Sequence, residues 1–277
     1  MSSLKFWIKV TRPIQCLLAA CATWVIALLS NGPMWFTTEK LAAAGLMFVS
    51  TLGASVYHYG AANKMYARKT WDLVEVEYPK RLVLFGALCL VTAIAIAVFF
   101  LPAICIWITV ISANIIVCYA RFLSKHWATK NVVIAFVCTT PILIGWLSGH
   151  RMHPAIPYFA GFAFFGYWSR EIIKDLQDIK ANHGIRVTLP MWIGPKRAML
   201  LASCFTVCGI ACLVKISSIF FHAHVFVLMS YLAAVAIFAY VAFLLAKNSH
   251  VMRLPSLITL GNACLLLSAF GLRLARL

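Results

Sequence analysis

Long apolar runs constrain this chain more than any other feature of its sequence. Nine stretches of roughly 17 to 25 mostly apolar residues recur along the 277 residues, and each could cross a hydrocarbon core of ~30 Å as a helix. Hydrophobic residues make up 63% of the chain and charged residues 11%, which a soluble domain of this size does not combine. Because backbone polar groups must be satisfied internally in lipid, the runs predict helices. The fold expected is an all-α polytopic membrane protein, with nine transmembrane helices bundled around a central lipid-accessible cavity. The runs are 13–30, 41–62, 82–100, 102–120, 131–149, 154–173, 198–217, 222–246 and 254–273.

Basic residues give the orientation. With the N-terminus in the cytoplasm, 19 of the 24 lysines and arginines fall on that side. This asymmetry is typical of cytoplasmic loops, so it predicts an integral multi-pass protein with a cytoplasmic N-terminus, in the plasma membrane or a bacterial inner membrane. The net charge of +17 is then a topology signal and implies no nucleic-acid partner. Without a linker long enough to separate domains, residues 1–277 are predicted to form one domain. The cytoplasmic segments are 1–12, 63–81, 121–130, 170–197 and 247–253.

Acidic residues are concentrated in two of these loops. Six of the seven acids lie in segments 63–81 and 170–190, and only Glu39 lies elsewhere. Acids are costly near a bilayer, so such clustering indicates function. The loops follow the second and sixth helices, a spacing that suggests two four-helix repeats plus a ninth helix, with both loops capping the cavity on its cytoplasmic side. The acids are Asp72, Glu75 and Glu77 in the first loop and Glu171, Asp175 and Asp178 in the second.

The second loop predicts a polar stripe. At ~100° per residue, four oxygen-bearing side chains fall within a helical sector of about 60°. Carboxylates so arranged can share Mg²⁺, which prefers one or two carboxylates, several waters and substrate phosphate oxygens, and the flanking Arg170 and Lys174 would hold the remaining phosphate charge. The alternative is a solvated helix end with ordinary ion pairs. The stripe residues are Glu171, Asp175, Asp178 and Asn182.

Two segments carry a resemblance to a known family. "REIIKDLQDIKANHGIRVTLP" (170–190) resembles the second aspartate-rich motif of the UbiA superfamily of intramembrane prenyltransferases, closest to the geranylgeranylglyceryl phosphate and homogentisate branches. "TRPIQCLLAACATWVIALL" (11–29) is similar to the family's opening, with Gln15 where asparagine is usual. The resemblance implies that Mg²⁺ and basic residues bind a prenyl diphosphate and ionise it towards an allylic carbocation. A hydrophobic acceptor, aromatic or lipid, then attacks C1.

The stripe and the resemblance together give the candidate site. Within it, Asn182 stands where the family motif has a third aspartate. The catalytic candidates are Asp175, Asp178, Lys174 and Arg186. The metal candidates are Asp175, Asp178, Asn182, Glu171 and Asp72, and the substrate-binding candidates are Asn63, Lys64, Arg68, Arg81, Arg170, Tyr167 and Arg12.

The first aspartate-rich motif of the family is degenerate here. Alignment on Pro79, Lys80, Arg81 and Gly86 places Asn63 at the motif's first asparagine. The next asparagine and the three aspartates are then replaced by Tyr66, Ala67, Thr70 and Val74.

Three explanations of this degeneracy stay open. In the first, one Mg²⁺ at the second motif suffices, and basic residues of the first loop supply the charge that a second metal would bring. Alternatively Asp72, Glu75 and Glu77 form an unusual second metal site. In the third, catalysis is altered or lost and the protein binds an isoprenoid lipid. A lipid transporter is a competing class, but acids at the cytoplasmic edge rather than the bilayer midplane favour the enzyme.

Overall fold

A computed structural model describes residues 3–30, 36–61, 79–149, 153–183, 186–217, 225–247 and 254–274. Within those ranges the chain is helical and contains no strand, which confirms the all-α prediction. The helices are α1 (Ser3–Thr11), α2 (Pro13–Ser30), α3 (Thr38–Ala61), α4 (Pro79–Phe100), α5 (Ala103–Arg121), α6 (Trp127–Val137), α7 (Thr140–Ser148), α8 (Ile156–Gln177), α9 (Ile179–Asn182), α10 (Leu189–Ile193), α11 (Pro195–Lys215), α12 (Val225–Ala246) and α13 (Leu254–Leu274).

Eight helical stretches among the described residues are long and apolar enough to cross a membrane. The sixth predicted run, 154–173, is not one of them, although it forms the 22-residue helix α8. Its C-terminal half carries the charged residues of the polar stripe, which lower its hydropathy. The polytopic prediction is confirmed, and the nine predicted runs correspond to the eight apolar stretches plus α8.

The fifth predicted run is broken into α6 and α7 just before Pro141. Proline has no backbone N–H, so the carbonyl of Val137 loses the partner that a continuous helix would give it. The Thr140 hydroxyl donates to that carbonyl at 2.7 Å instead, and the Thr139 hydroxyl donates to the Phe136 carbonyl at 2.6 Å. The sequence therefore supplies both the break and the side chains that satisfy it.

The chain forms two compact units, of which the first comprises Met1–His126 and Leu143–Arg151. Its most extensive packing is between α3 and α4, where a Cβ atom on Gly86 would lie only 2.5 Å from the backbone nitrogen of Tyr57. A side chain at that crossing would force the helices apart. The core of this unit is formed by Ala43, Leu46, Met47, Ala93, Ala97, Leu101, Cys105 and Ile144.

The second unit comprises Trp127–Ile142 and Met152–Leu277. In it α8 packs on α6, α11 and α13. The Ser169 hydroxyl donates to the Ala202 carbonyl at 2.8 Å and lies 2.8 Å from the Thr206 hydroxyl. Trp168 and Phe205, the residues directly before Ser169 and Thr206, stack their rings with centroids 4.2 Å apart. These contacts fix the face of α8 that carries the candidate site.

Candidate active site

The polar stripe lies on α8 and the short helix α9, within the second unit. Glu171, Asp175 and Asn182 are buried, with exposed fractions of 2%, 1% and 0%. Asp178 is half-buried and joins the two helices, since the backbone N–H of Asn182 donates to its carbonyl at 2.8 Å. Residues three or four apart share a face of a helix. The chain has thus brought scarce acids into the interior of a unit.

Glu171 is paired with bases that are its neighbours in sequence. Its Oε1 accepts from Nη1 of Arg170 at 3.1 Å and from Nζ of Lys174 at 2.9 Å. The two basic side chains are 14% and 33% exposed. Lys174 lies one helical turn after Glu171 and Arg170 is its direct neighbour in sequence, and both basic side chains reach towards solvent.

Asp175 is paired with bases from other elements. Nζ of Lys130, in the first turn of α6, donates to Oδ1 of Asp175. Nη2 of Arg186, in the segment between α9 and α10, lies 3.6 Å from the same oxygen. Lys130 and Arg186 are each only 5% exposed at the side chain. One oxygen of a buried carboxylate is here paired with two buried cations, an arrangement that requires close pairing.

Arg186 also holds Asn182. Its Nε donates to Oδ1 of Asn182 at 3.0 Å, while its Nη2 faces Asp175. One guanidinium therefore connects the end of the stripe with its centre. The fork of a guanidinium suits such bridging and also suits oxyanions such as diphosphate.

Several buried polar atoms on the segments that form this cluster have no hydrogen-bond partner among the described residues. They are Oδ2 of Asp175, Nδ2 of Asn182, Oγ1 of Thr188, and both amide atoms of Asn131. Thr188 is 0% and Asn131 1% exposed. Unpartnered buried polar atoms are costly, so their grouping along neighbouring segments is typical of a binding site.

The residues present fit one magnesium ion. Among the described residues, no group of three or more histidines, cysteines or acids could hold a metal by itself. Mg²⁺ needs fewer protein ligands, since it keeps several waters and takes the rest from substrate phosphates. Oδ2 of Asp175 is buried without a partner, and Asp178 lies one turn further on. These carboxylates would hold the ion.

The comparison with known proteins decides the family. The model of the UbiA prenyltransferase family matches residues 75–267. The chain belongs to the UbiA prenyltransferase family. Its relatives include the digeranylgeranylglyceryl phosphate synthase of Methanoregula boonei, at 26% identity with 73% of each chain covered. The synthase of Methanosphaera stadtmanae is 24% identical, with 87% of this chain and 88% of the relative covered.

Solved structures of UbiA homologues share the fold. A structure of digeranylgeranylglyceryl phosphate synthase has a TM-score of 0.75 at 18% identity, with 98% of this chain and 99% of that chain covered. A UbiA homologue from Archaeoglobus fulgidus, bound to DMAPP and Mg²⁺, has a TM-score of 0.72 at 12% identity, covering 96% and 98% of the two chains. The predicted resemblance and the predicted class, a membrane prenyltransferase, are confirmed.

The remaining predicted site residues of this UbiA family member are distributed over both units. Tyr167 lies on α8, half-buried, one turn before Glu171. In the first unit, Arg81 is exposed in the first turn of α4, and Arg12 lies between α1 and α2 with a φ of 48°. Their substrate-binding roles stay predictions. Asn63, Lys64, Arg68 and Asp72 lie outside the described residues.

Lys130 is the member of the cluster that sequence reasoning missed. Lys130 directly precedes the apolar run 131–149. In the sequence it is therefore only one of the basic residues that predict the membrane orientation. In the structure α6 begins three residues earlier, at Trp127, and Lys130 lies inside the helix at 4% exposure. The signal available in the sequence was the polar pair of Lys130 and Asn131 at the start of a membrane run.

Proposed function

We propose that this UbiA family member transfers a prenyl group from a prenyl diphosphate to a hydrophobic acceptor, with the diphosphate bound at the charged cluster of α8. One observation carries the proposal: two buried carboxylates, Glu171 and Asp175, hold four basic side chains near the C-terminal end of α8. The four basic side chains outnumber the three acids of the stripe, Glu171, Asp175 and Asp178, a balance of charge that suits a multiply charged anion.

The basic residues stabilise the leaving group. The bond between C1 of the prenyl chain and the diphosphate oxygen breaks, its electron pair stays on that oxygen, and the diphosphate gains a negative charge. Lys174 and Arg186 are held by Glu171 and Asp175 and are therefore oriented before the substrate arrives. Preorganised charges of this kind act most strongly where water is excluded.

Magnesium would add to this stabilisation. Mg²⁺ is present with DMAPP in the Archaeoglobus fulgidus homologue, and here Asp175 and Asp178 would hold it. When bound, it neutralises charge on the diphosphate. The acceptor hydroxyl then forms the new bond to C1, and its proton passes to the departing diphosphate, which has gained the charge to accept it.

A glyceryl phosphate lipid is the acceptor class that we propose first. The curated relatives at 23–26% identity are named digeranylgeranylglyceryl phosphate synthase. The buried unpartnered atoms of Asn131 and Thr188, on the segments that also carry Lys130 and Arg186, offer hydrogen-bonding groups for such a polar headgroup. An aromatic acceptor is the alternative, and the acceptor panel described below separates the two.

We also infer that the N-terminus and the charged cluster face the cytoplasm, because 19 of the 24 basic residues then lie on that side. Reporter fusions after Lys125 and after Lys247 should both report a cytoplasmic location. Residues 1–277 are proposed to act as one domain, since the family match at 75–267 spans residues of both units.

The test is turnover by purified protein. Labelled geranyl, farnesyl and geranylgeranyl diphosphates are incubated with Mg²⁺ and either a glyceryl phosphate lipid or an aromatic acid, and both free diphosphate and the lipid product are measured. We expect equal amounts of diphosphate and prenylated product. Copurified isoprenoid lipid without any turnover would favour the second candidate, an inactive member that binds such a lipid, which the occupation of Oδ1 of Asp175 by Lys130 supports.

A further inference from the structure

We propose that Lys130 is a fixed cation of the diphosphate site, which occupies one oxygen of Asp175 and supplies positive charge that a second metal ion would otherwise bring. The inference rests on the proposed function and adds a residue and a metal requirement to it. It predicts that one divalent ion suffices and that part of the diphosphate affinity needs no metal.

The placement of Lys130 carries the first step. Its ammonium contacts Oδ1 of Asp175, and both side chains are buried, at 5% and 1% exposure. A buried ammonium needs a close partner of opposite charge, whereas an exposed ion pair contributes little to stability. The contact between Lys130 and Asp175 is of the buried kind. It connects the first turn of α6 with the last turns of α8.

The charge balance carries the second step. The cluster formed by Glu171 and Asp175 with their four basic partners has a net charge of −2 + 4 = +2, and Asp178, the second proposed magnesium ligand, lowers this to −3 + 4 = +1. A pair of carboxylates prepared for two magnesium ions would instead be negative until the ions arrived. The described cluster is already complementary to a diphosphate.

The free oxygen carries the third step. Oδ1 of Asp175 faces Lys130 and Arg186, whereas Oδ2 is buried without a hydrogen-bond partner among the described residues. One carboxylate thus offers one side to a fixed cation and the other to a single divalent ion. The degenerate first motif agrees, since the three family aspartates are replaced there by Ala67, Thr70 and Val74.

The experiment measures binding rather than turnover. The inert analogue geranyl S-thiolodiphosphate is titrated calorimetrically into wild type, Lys130→Met and Lys130→Arg, in EDTA and in Mg²⁺. We expect wild type to bind in EDTA, Lys130→Met to bind at least about tenfold more weakly there, and Lys130→Arg to retain most of the affinity, as expected for a lost charge-assisted contact. Lys180→Met is the matched control, because Lys180 is exposed on α9, and its affinity should stay within about twofold.

Manganese provides the second readout. Electron paramagnetic resonance should count one Mn²⁺ per wild-type protein in the presence of the analogue, and Lys130→Met should bind Mn²⁺ more tightly because Oδ1 is released. If Lys130→Met does not fold, Lys130→Met with Asp175→Asn removes the unpaired acid, and this double variant should bind the analogue in EDTA at least about tenfold more weakly than Asp175→Asn alone.

The outcomes separate the two proposals. If wild type binds the analogue only with Mg²⁺, or takes up two Mn²⁺, or if Lys130→Met binds in EDTA as wild type does, the role of Lys130 is overturned while the prenyltransferase assignment stands. If wild type binds no prenyl diphosphate analogue under either condition, the proposed function fails and Lys130 loses its role with it.

Discussion

Glu171 and Asp175 lie one turn apart on α8, and each has two basic partners, but the origins of those partners differ. The bases on Glu171 are one and three residues away on the same helix, with side chains 14% and 33% exposed. The bases on Asp175 come from α6 and from the segment after α9, each 5% exposed. The first cluster is local and partly solvated, whereas the second is tertiary and buried.

The difference in burial sets the expected energies. Glu171 is itself buried, but if it loses its charge, Arg170 and Lys174 can turn towards water, so we expect a cost close to the ~0–1 kcal/mol of solvent-exposed pairs. If Asp175 loses its charge, Lys130 and Arg186 are left buried without their counter-ion, and breaking such a pair costs ~3–5 kcal/mol. Asp175 is therefore the acid on which both the local fold and the proposed chemistry depend.

Asp175→Asn should have the largest effect. We expect Mg²⁺-dependent diphosphate release to slow by about 100-fold or more, since preorganised charge is lost at the leaving group. The protein should remain extractable in detergent, with a lower thermal midpoint.

Asp178→Asn should also abolish release, with a smaller change in midpoint because Asp178 is half-buried. Full activity of a variant that carries both Asp175→Asn and Asp178→Asn would exclude a catalytic role for these aspartates.

Restoring acids in the first motif should change the metal requirement. Ala67→Asp with Thr70→Asp introduces carboxylates where the family pattern has them, and affinity for a divalent ion rises with ligand charge. We expect about a tenfold decrease in the Mg²⁺ concentration for half-maximal rate. The rate is measured across a Mg²⁺ series, with Ala67→Asn and Thr70→Asn as the uncharged control. If the dependence of the rate on Mg²⁺ concentration is unchanged, the segment with residues 67 and 70 does not bind the diphosphate or its metal.

Glu171→Gln should have a modest effect. Its partners reach solvent, so we expect the stability to fall by no more than about 1 kcal/mol and the rate of diphosphate release to stay within about threefold of wild type. Thermal unfolding in detergent and the release assay measure the two quantities. A loss as large as that of Asp175→Asn would remove the distinction between the local and the tertiary cluster.

Ser169→Ala should have the smallest effect. Ser169 is buried two residues before Glu171 and bonds only to α11 in the described contacts, through Ala202 and Thr206. The loss of a neutral hydrogen bond between helices is worth ~0.5–1.5 kcal/mol. We expect a small decrease in thermal midpoint with the diphosphate release rate unchanged within about twofold. A large catalytic loss would show that packing of α8, rather than charge, limits the rate.

The sequence revealed the local parts of this picture and missed the tertiary ones. The spacing of Glu171 and Asp175 on a helix and the break before Pro141 follow from rules that act within one turn, and the structure contains both. The contact between Lys130 and Asp175 spans 45 residues, so no periodicity encodes it. Lys130 also lay at the edge of an apolar run, where flanking lysines are common for topological reasons.

Hydropathy alone was also least informative at the site. The run 154–173 gave a helix of 22 residues, but the charged residues of the stripe kept it below the apolarity of the other spans. A segment that combines the length of a membrane span with buried acids gives two conflicting signals, and here that conflict falls on the segment of the proposed site.

The most direct test of a catalytic tertiary cluster is a parallel measurement of diphosphate release from geranylgeranyl diphosphate by wild type, Glu171→Gln and Asp175→Asn, with Mg²⁺ and a glyceryl phosphate lipid. We predict release and an equal amount of prenylated lipid from wild type, a rate within about threefold for Glu171→Gln, and a rate at least about 100-fold lower for Asp175→Asn. Equal rates for wild type and Asp175→Asn would contradict the account.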